Sequence, residues 1–357
     1  MFCQCPAVIF PIEAKCFAKN ADRLGRLDWT RIVKISAINV WLICHDGFSL
    51  IHIVEATDTK SISQLPPLKR KQPLVYHAPS RETAFDRPRD FLGNRFVYAV
   101  ISSRAGGLSL GVNMNPDRRC NFDCSYCEVD RRTPSPEGKL VTEVMAAELR
   151  RAIQSVAQNH LRQNPWYHSL PDELLKLRHV ALSGDGEPTL AANFFEAVQA
   201  VVRVRALGGF FKIVLITNGT GLDLTPVLRG LEFLTKSDEV WIKLDGGTQS
   251  FIDKVNRPDV KLEKILANIR LVGKLRPVVI QSLFAAIHGE EPPHEEIKQY
   301  AQRLKELKDD GAQISLVQIY SAARPGVHPE WGHLPLRVLS LIAQTVRQTA
   351  GLRAEVF

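Results

Sequence analysis

The chain has 357 residues, 45% of them hydrophobic and 24% charged, with a formal net charge of +8 and seven cysteines. That balance suits an ordinary globular protein with room for one large domain and an appendage. It argues against a membrane-spanning chain: no uninterrupted apolar run approaches the ~20 residues needed to cross a bilayer, and the nearest, residues 35–54, is broken by Asn39, His45, Asp46 and His52.

Residues 1–80 read as an N-terminal extension and linker, expected to be poorly ordered. Their apolar stretches follow neither a helical nor a strand period, and residues 61–72 are rich in Pro and Lys. Cys3, Cys5, Cys16 and Cys44 are separated by gaps of 1, 10 and 27 residues, which match no metal-ligand spacing. A second reading is a misassigned start; the only methionines are Met1, Met114 and Met145, so a start between the first two would need a non-ATG codon. The N-terminus lacks the basic-then-apolar order of a secretory signal.

The core is expected over residues 81–357. The run Phe96-Val-Tyr-Ala-Val-Ile101 is strand-like, Gly106-Gly107 marks a turn, and residues 108–113 form the next strand. Pro116 opens a loop that carries Cys120-Asn-Phe-Asp-Cys124-Ser-Tyr-Cys127. Three thiolates on one short loop can grip one small soft-metal object. Iron–sulfur runs usually supply four cysteines per cubane; a 4Fe–4S cluster held by three keeps one iron free for another ligand. Zinc is the first alternative, but it wants four ligands, and no second C-x2-C pair follows Cys127. A redox dithiol is the second, but it would use Cys124 and Cys127 and leave Cys120 unexplained. Cluster thiols argue for a reducing, cytoplasmic setting. Arg118-Arg119 and Arg131-Arg132 flank the loop, and Lys69-Arg70-Lys71 lies in the linker. These clusters fit an anionic partner such as RNA, or simply a solvated basic surface.

Beyond the loop the pattern alternates. Residues 141–161 carry a helical stripe of Val144, Met145, Leu149, Ile153 and Val156. Strands are expected at 179–183, 212–217, 239–244, 278–284 and 313–320. Helices are expected at 194–204, 224–234, 262–272, 295–307 and 336–349, with Gly273 placed to end the third of these. Six β–α units imply a parallel sheet with right-handed crossovers. Six are too few for a closed eightfold barrel, so the α/β fold expected is an open, partial (β/α)6 barrel.

Chemistry in such folds gathers at the carboxyl ends of the strands, and polar residues concentrate there. Ser183-Gly-Asp-Gly-Glu-Pro follows the second strand and Thr217-Asn218-Gly219 the third. Each also reads as a plain polar turn. Period 2 puts Trp241, Lys243 and Asp245 on one face of the fourth strand. Lys243 and Asp245 either serve the site or pair with each other. Gln281 and Gln318, on the fifth and sixth strands, either read a polar substrate or satisfy each other; Tyr320 shares the face of Gln318, and Arg324 and Pro325 follow it.

Residues from about 86 onward resemble the radical S-adenosylmethionine (SAM) superfamily, and within it a bacterial and archaeal group related to the wyosine-base synthases of tRNA. The resemblance rests on Phe91-Leu-Gly-Asn-Arg95, Gly111-Val-Asn-Met-Asn-Pro116, the cysteine run with Tyr126 before its last cysteine, Gly184-Asp-Gly-Glu-Pro188, Leu215-Ile-Thr-Asn218 and Trp241-Ile-Lys-Leu-Asp-Gly-Gly247. It implies a TIM-like partial barrel of the radical SAM type. It also implies a 4Fe–4S cluster on Cys120, Cys124 and Cys127 whose free iron chelates S-adenosyl-L-methionine, and a 5′-deoxyadenosyl radical that abstracts hydrogen from substrate. It assigns Tyr126, Gly184, Asp185, Gly186, Glu187 and Asn218 to cofactor binding; strand facing adds Gln281 and Gln318 to that set and makes Lys243 and Asp245 the expected catalytic pair. An external electron donor such as flavodoxin or ferredoxin is implied, with a tRNA nucleoside as leading substrate and a small molecule or a protein as alternatives. An iron–sulfur carrier or redox sensor is the non-enzyme alternative. Wyosine-base synthases carry a second cluster on N-terminal cysteines, and Cys3, Cys5, Cys16 and Cys44 depart from that spacing.

Overall fold

The computed structural model describes residues 91–129, 131, 135, 137–321 and 331–357, together with three strands nearer the N-terminus. The chain divides into two compact units, Met1–Tyr76 and His77–Phe357. In the first, β1 (Arg31–Ile35), β2 (Val40–Cys44) and β3 (Val54–Glu55) form an antiparallel sheet in that order. Cys3, Cys5, Cys16, the side chain of Cys44, the linker with Lys69-Arg70-Lys71, and the expectation of poor order there fall outside the described residues, as do Arg132, Arg324 and Pro325.

The second unit is built on an eight-stranded sheet. Its strands are β4 (Val97–Ser102), β5 (Gly107–Asn113), β6 (Leu177–Ser183), β7 (Lys212–Thr217), β8 (Glu239–Lys243), β9 (Val278–Leu283), β11 (Ile314–Tyr320) and β13 (Ala354–Val356), each beside the next in that order. β4 runs antiparallel to β5, and every later neighbouring pair is parallel. The short β10 (Ala286–Ile287) and β12 (Trp331–Gly332) pair separately. The connections carry α1 (Thr142–Ala157), α2 (Asp172–Leu175), α3 (Phe194–Gly208), α4 (Thr225–Leu231), α5 (Gln249–Val255), α6 (Leu262–Leu275), α7 (His294–Asp309) and α8 (Leu336–Ala350).

Strands laid down in chain order by crossovers of one hand keep their helices on one face of the sheet. Period 2 then divides each strand. Leu110, Leu182, Leu215, Ile242, Ile280 and Ile319 belong to the large core with the helices, whereas Val214, Trp241 and Val279 form a separate cluster on the other face. Terminal strands β4 and β13 do not pair with each other, so the sheet is an open partial barrel with six β–α units, as the alternation implied. Two buried carboxylates staple its strand starts. Glu148 accepts from the backbone N–H of Arg95, Phe96 and Val97 at 2.8–3.2 Å. Asp238 accepts from Ile213 N at 2.7 Å and pairs with Arg205 at 2.7 Å.

Some element boundaries differ from expectation. Helix α6 does not end at Gly273 but runs to Leu275. Gly273 is there for packing: a Cβ at that position would come within 2.8 Å of the Ala312 Cβ. The helix expected over 141–161 stops at Ala157, where Gln158 and Asn159 close it and a 3-10 turn follows. Strand β13, only three residues long, adds a seventh parallel strand that the alternation did not contain.

His179, 4% exposed, lies beside Trp241 on the inner face, edge to face at 5.3 Å. Burial pushes its imidazole down to about 4, against the opposing pull of Glu239. The native state therefore binds no proton here through the range where the unfolded chain does, and stability falls as pH drops from 6.5 towards 4. For this group the loss is on the order of 3 kcal/mol. In His179→Gln that part of the slope should vanish, as denaturant unfolding at pH 7 and pH 5 will measure.

Candidate functional site

The cysteine loop sits at the carboxyl ends of the parallel strands and is fastened from two sides. On one side is the turn after β6. The Arg119 carbonyl accepts from Glu187 N at 3.0 Å, and a Cβ at Gly186 would overlap that same carbonyl. Gly184, at φ +137°, presses against Asn113 in the same way. Asn113 in turn donates to Asp185 at 2.8 Å and accepts from Asp185 N at 3.1 Å. The glycines are required by the approach of this protein's own backbone, a closer constraint than ligand access.

On the other side is the segment after α5. Ser125 N and Oγ donate to the Val255 carbonyl at 2.9 and 2.7 Å, and Asp123 N donates to the Asn256 carbonyl at 3.0 Å. These are carbonyls at a helix C-terminus, which must find partners outside the helix. Phe122 bridges to Pro258, and Asn121 contacts Asp259 through both its carbonyl and its side chain. The sequence Asn256-Arg-Pro258 accounts for the turn. Proline disfavours right-handed helix in the residue before it, and Arg257 takes φ +44°.

Glu187 and Asn218 brace this arrangement. Glu187, 2% exposed, accepts from Thr189 N and Oγ1, from Thr217 Oγ1 and from Asn218 N. Burial pushes its carboxyl up, and these four bonds work against the shift. The Asn218 amide donates to Asn121 Oδ1 at 2.9 Å and accepts from Thr220 N and Oγ1 at 3.0 and 2.8 Å. Both side chains are thus spent on joining β6, β7 and the cysteine loop.

Beneath the loop lies a polar layer in the barrel interior. Lys243, Gln281 and Gln318 sit opposite one another across β8, β9 and β11. Gln281 donates to Gln318 at 2.9 Å, so these two satisfy each other. Lys243 Nζ donates to Tyr320 OH at 3.1 Å and lies 3.6 Å from Asp245. Burial opposes its charge, but Asp245, Tyr320 and Cys124 outweigh that cost and hold it above the usual lysine range. Asp245, 1% exposed, accepts from Leu283 N at 2.8 Å, from Asn256 at 2.8 Å and from the Tyr126 hydroxyl. Burial foremost, and then Asp245, pushes the Tyr126 phenol well up. Arg104 stacks on the Tyr320 ring with its guanidinium carbon 4.2 Å from the centroid.

The thiols fit a soft-metal group. Cys120 and Cys124 pack on the apolar core. Burial pushes Cys120 up to about 11 and Cys124 to about 12, partly offset by the Phe122 N–H at the first and by Lys243 and Asn256 at the second. They stay protonated until a bound cation displaces the protons. Cys127 hydrogen-bonds Arg131. Among the described residues no group of three or more His, Cys, Asp or Glu side chains is gathered closely enough to hold a single metal ion. Of the residues expected at the site, Cys124, Tyr126 and Asp245 meet at Asn256, with Lys243 3.6 Å from Asp245, and Cys120 and Cys127 are carried on the same loop. Gly184, Asp185, Gly186, Glu187 and Asn218 stand behind the loop, and Gln281 and Gln318 lie on the inner face of the sheet. Asn121, Asn256 and Tyr320 also belong here. Tyr320 was already on the right face, but Asn121 and Asn256 carry no sequence signal beyond being polar.

No protein-family model matches the chain. It is 30% identical over 177 residues to a UPF0026 protein of Synechocystis, a match covering 49% of this chain and 58% of that one. It is 27% identical over 231 residues to a UPF0026 protein of Helicobacter pylori, covering 64% and 67%. The matched region thus spans little more than half of the first relative's length. Among solved structures it is similar to TYW1 with a lysine-pyruvate adduct bound, at 17% identity and a TM-score of 0.46, covering 69% of this chain and 74% of that one.

If the turn after β6 positions the cysteine loop, Gly186→Ala should displace it and lower the iron taken up on anaerobic reconstitution severalfold. Gly138→Ala, with nothing within 4 Å of the added carbon, should match wild type. Glu187→Ala strands four buried donors and should lower stability by about 3 kcal/mol or more, read by denaturant unfolding.

Proposed function

We propose that the protein is a radical SAM enzyme. Cys120, Cys124 and Cys127 hold a 4Fe–4S cluster, S-adenosyl-L-methionine binds beside it, and a substrate at the barrel mouth is modified by hydrogen abstraction. The observation that carries this reading is the placement of three thiols on one loop, pinned at the carboxyl ends of the strands above a buried polar layer. When bound, the cluster and SAM supply a one-electron cleavage of the SAM sulfur–carbon bond, the hard chemistry that a protein scaffold positions and shields.

The chain's own residues have separable tasks in this reading. Cys120, Cys124 and Cys127 give three ligands and leave a fourth position to SAM. The turn from Gly184 to Glu187 offers its backbone to the SAM amino group, since the Glu187 carboxylate is already engaged. Asn218 marks the ribose side. Val214, Trp241 and Val279 form an apolar cluster on the inner face below. Lys243, held as an ammonium by Asp245, suits binding a negatively charged or carbonyl oxygen; a Schiff base would need it neutral.

RNA, in particular a tRNA nucleoside, is the substrate class we favour. It is supported by the net charge of +8 and by Arg118, Arg119 and Arg131 around the cysteine loop. Among the described residues no helix is long and apolar enough to cross a membrane. Thiols destined for a cluster favour a reducing, cytoplasmic setting, and the electron donor that goes with this reading is a flavodoxin or ferredoxin.

The test is anaerobic reconstitution with iron and sulfide, reduction with dithionite and addition of SAM. The expected product is 5′-deoxyadenosine, absent in Cys124→Ala. Its formation should rise on addition of tRNA, with binding that weakens steeply as salt increases. A cluster that forms but cleaves no SAM, with or without tRNA, would favour the carrier or redox-sensor reading.

A further inference from the structure

Asn256 occupies a position that the site as described leaves unused. It is 1% exposed and lies one residue past α5. Its side-chain nitrogen is 3.3 Å from Cys124 Sγ, 2.8 Å from Asp245 Oδ2 and 3.1 Å from Tyr126 OH. An asparagine amide can turn either its oxygen or its nitrogen towards a neighbour. Here the choice is forced. The Asp245 oxygen is an acceptor and already takes the Tyr126 hydroxyl hydrogen, so only the amide nitrogen can face it. The sulfur lies on that same nitrogen side. The backbone of Asn256 is fixed as well: its N–H donates to Ile252 O at 2.7 Å and its carbonyl accepts from Asp123 N.

We infer that Asn256 is a positioning residue that donates an N–H to the Cys124 sulfur and thereby raises the reduction potential of the cluster bound there. Asp245 and Tyr126 serve as the clamp that keeps the donor pointed at sulfur. The inference rests on the radical SAM reading above. Its physical basis is general: a hydrogen bond to a ligating thiolate withdraws charge from sulfur and favours the more negative, reduced cluster. The same clamp touches Lys243 through Asp245, so the donor to the sulfur and the interior cation share one acceptor.

The experiment compares reconstituted wild type with Asn256→Leu, which keeps the branched four-heavy-atom shape with bulkier tips and removes the donor. Iron and sulfide content are measured first. The midpoint potential then follows by EPR-monitored titration. The expected result is a full cluster in both proteins and a more negative potential in the variant. The shift should be on the order of a tenfold change in the reduction equilibrium, about 59 mV for one electron. An unchanged potential in a cluster-loaded variant overturns the inference, even if stability falls, because bracing alone would not move it. If Asn256→Leu cannot hold the cluster, wild type labelled with 15N in the asparagine side-chain amide decides. Pulsed EPR of the reduced cluster should show a 15N coupling, and its absence overturns the inference. If wild type itself takes up no cluster, the radical SAM reading fails and this inference with it; if wild type is loaded and only the potential or coupling result is negative, the radical SAM reading stands.

Discussion

The structure depends on how the cysteine loop is bolted to the strand ends. A short loop with three thiols has little core of its own, and its backbone groups need partners. Two neighbours supply them from opposite sides. The turn after β6 comes so close that only glycine fits at position 186, and Glu187 N takes the Arg119 carbonyl. The end of α5 offers the carbonyls of Val255 and Asn256 to Ser125 and Asp123. With both edges held, the loop is braced from two sides and Cys120 and Cys124 pack against the core. Pre-organisation of this kind is what a metal site asks of its protein.

Asp245 extends the same logic into the barrel. One buried carboxylate collects a strand N–H, a phenol, an amide and an ammonium within reach. A buried charge is tolerable only when so surrounded, and removing one partner of such a set costs far more than the set contributes. Asp245 therefore ties β8, β9, α5 and the cysteine loop into one unit. Lys243 stays charged within the polar layer, between the rings of Tyr126 at 5.0 Å and Tyr320 at 5.6 Å.

Much of this was legible in the sequence because it obeys local rules. The strand at Lys212–Thr217 is a near-continuous run of Ile, Val and Leu, as a strand covered on both faces should be, and the six β–α units follow from such runs. The facing of Lys243 and Asp245, and of Gln318 and Tyr320, followed from period 2. What stayed hidden depends on contacts between residues far apart in the chain. Gly273 reads as a helix stop, yet it sits inside α6 because Ala312 packs on it. Strand β13 is three residues long and pairs only because α8 delivers it to the edge of β11. Asn256 is a lone polar residue after a short helix, and its partner Cys124 lies 132 positions away.

The overlap of bracing and chemistry has a consequence for how roles here are assigned. Glu187 and Asn218 stand where a SAM-binding motif is expected, but their side chains already close bonds within the fold. If SAM meets this region, it meets backbone and not the carboxylate. Loss of activity on changing Glu187 would then report a displaced cysteine loop as readily as a lost ligand contact, and turnover alone cannot tell them apart. Iron content separates the two, because a displaced loop fails before SAM is added while a lost contact leaves the cluster intact. The same reasoning makes the potential, and not the rate, the informative quantity at Asn256: its backbone holds the loop and its amide faces the sulfur, and only the second of these is felt by the electron.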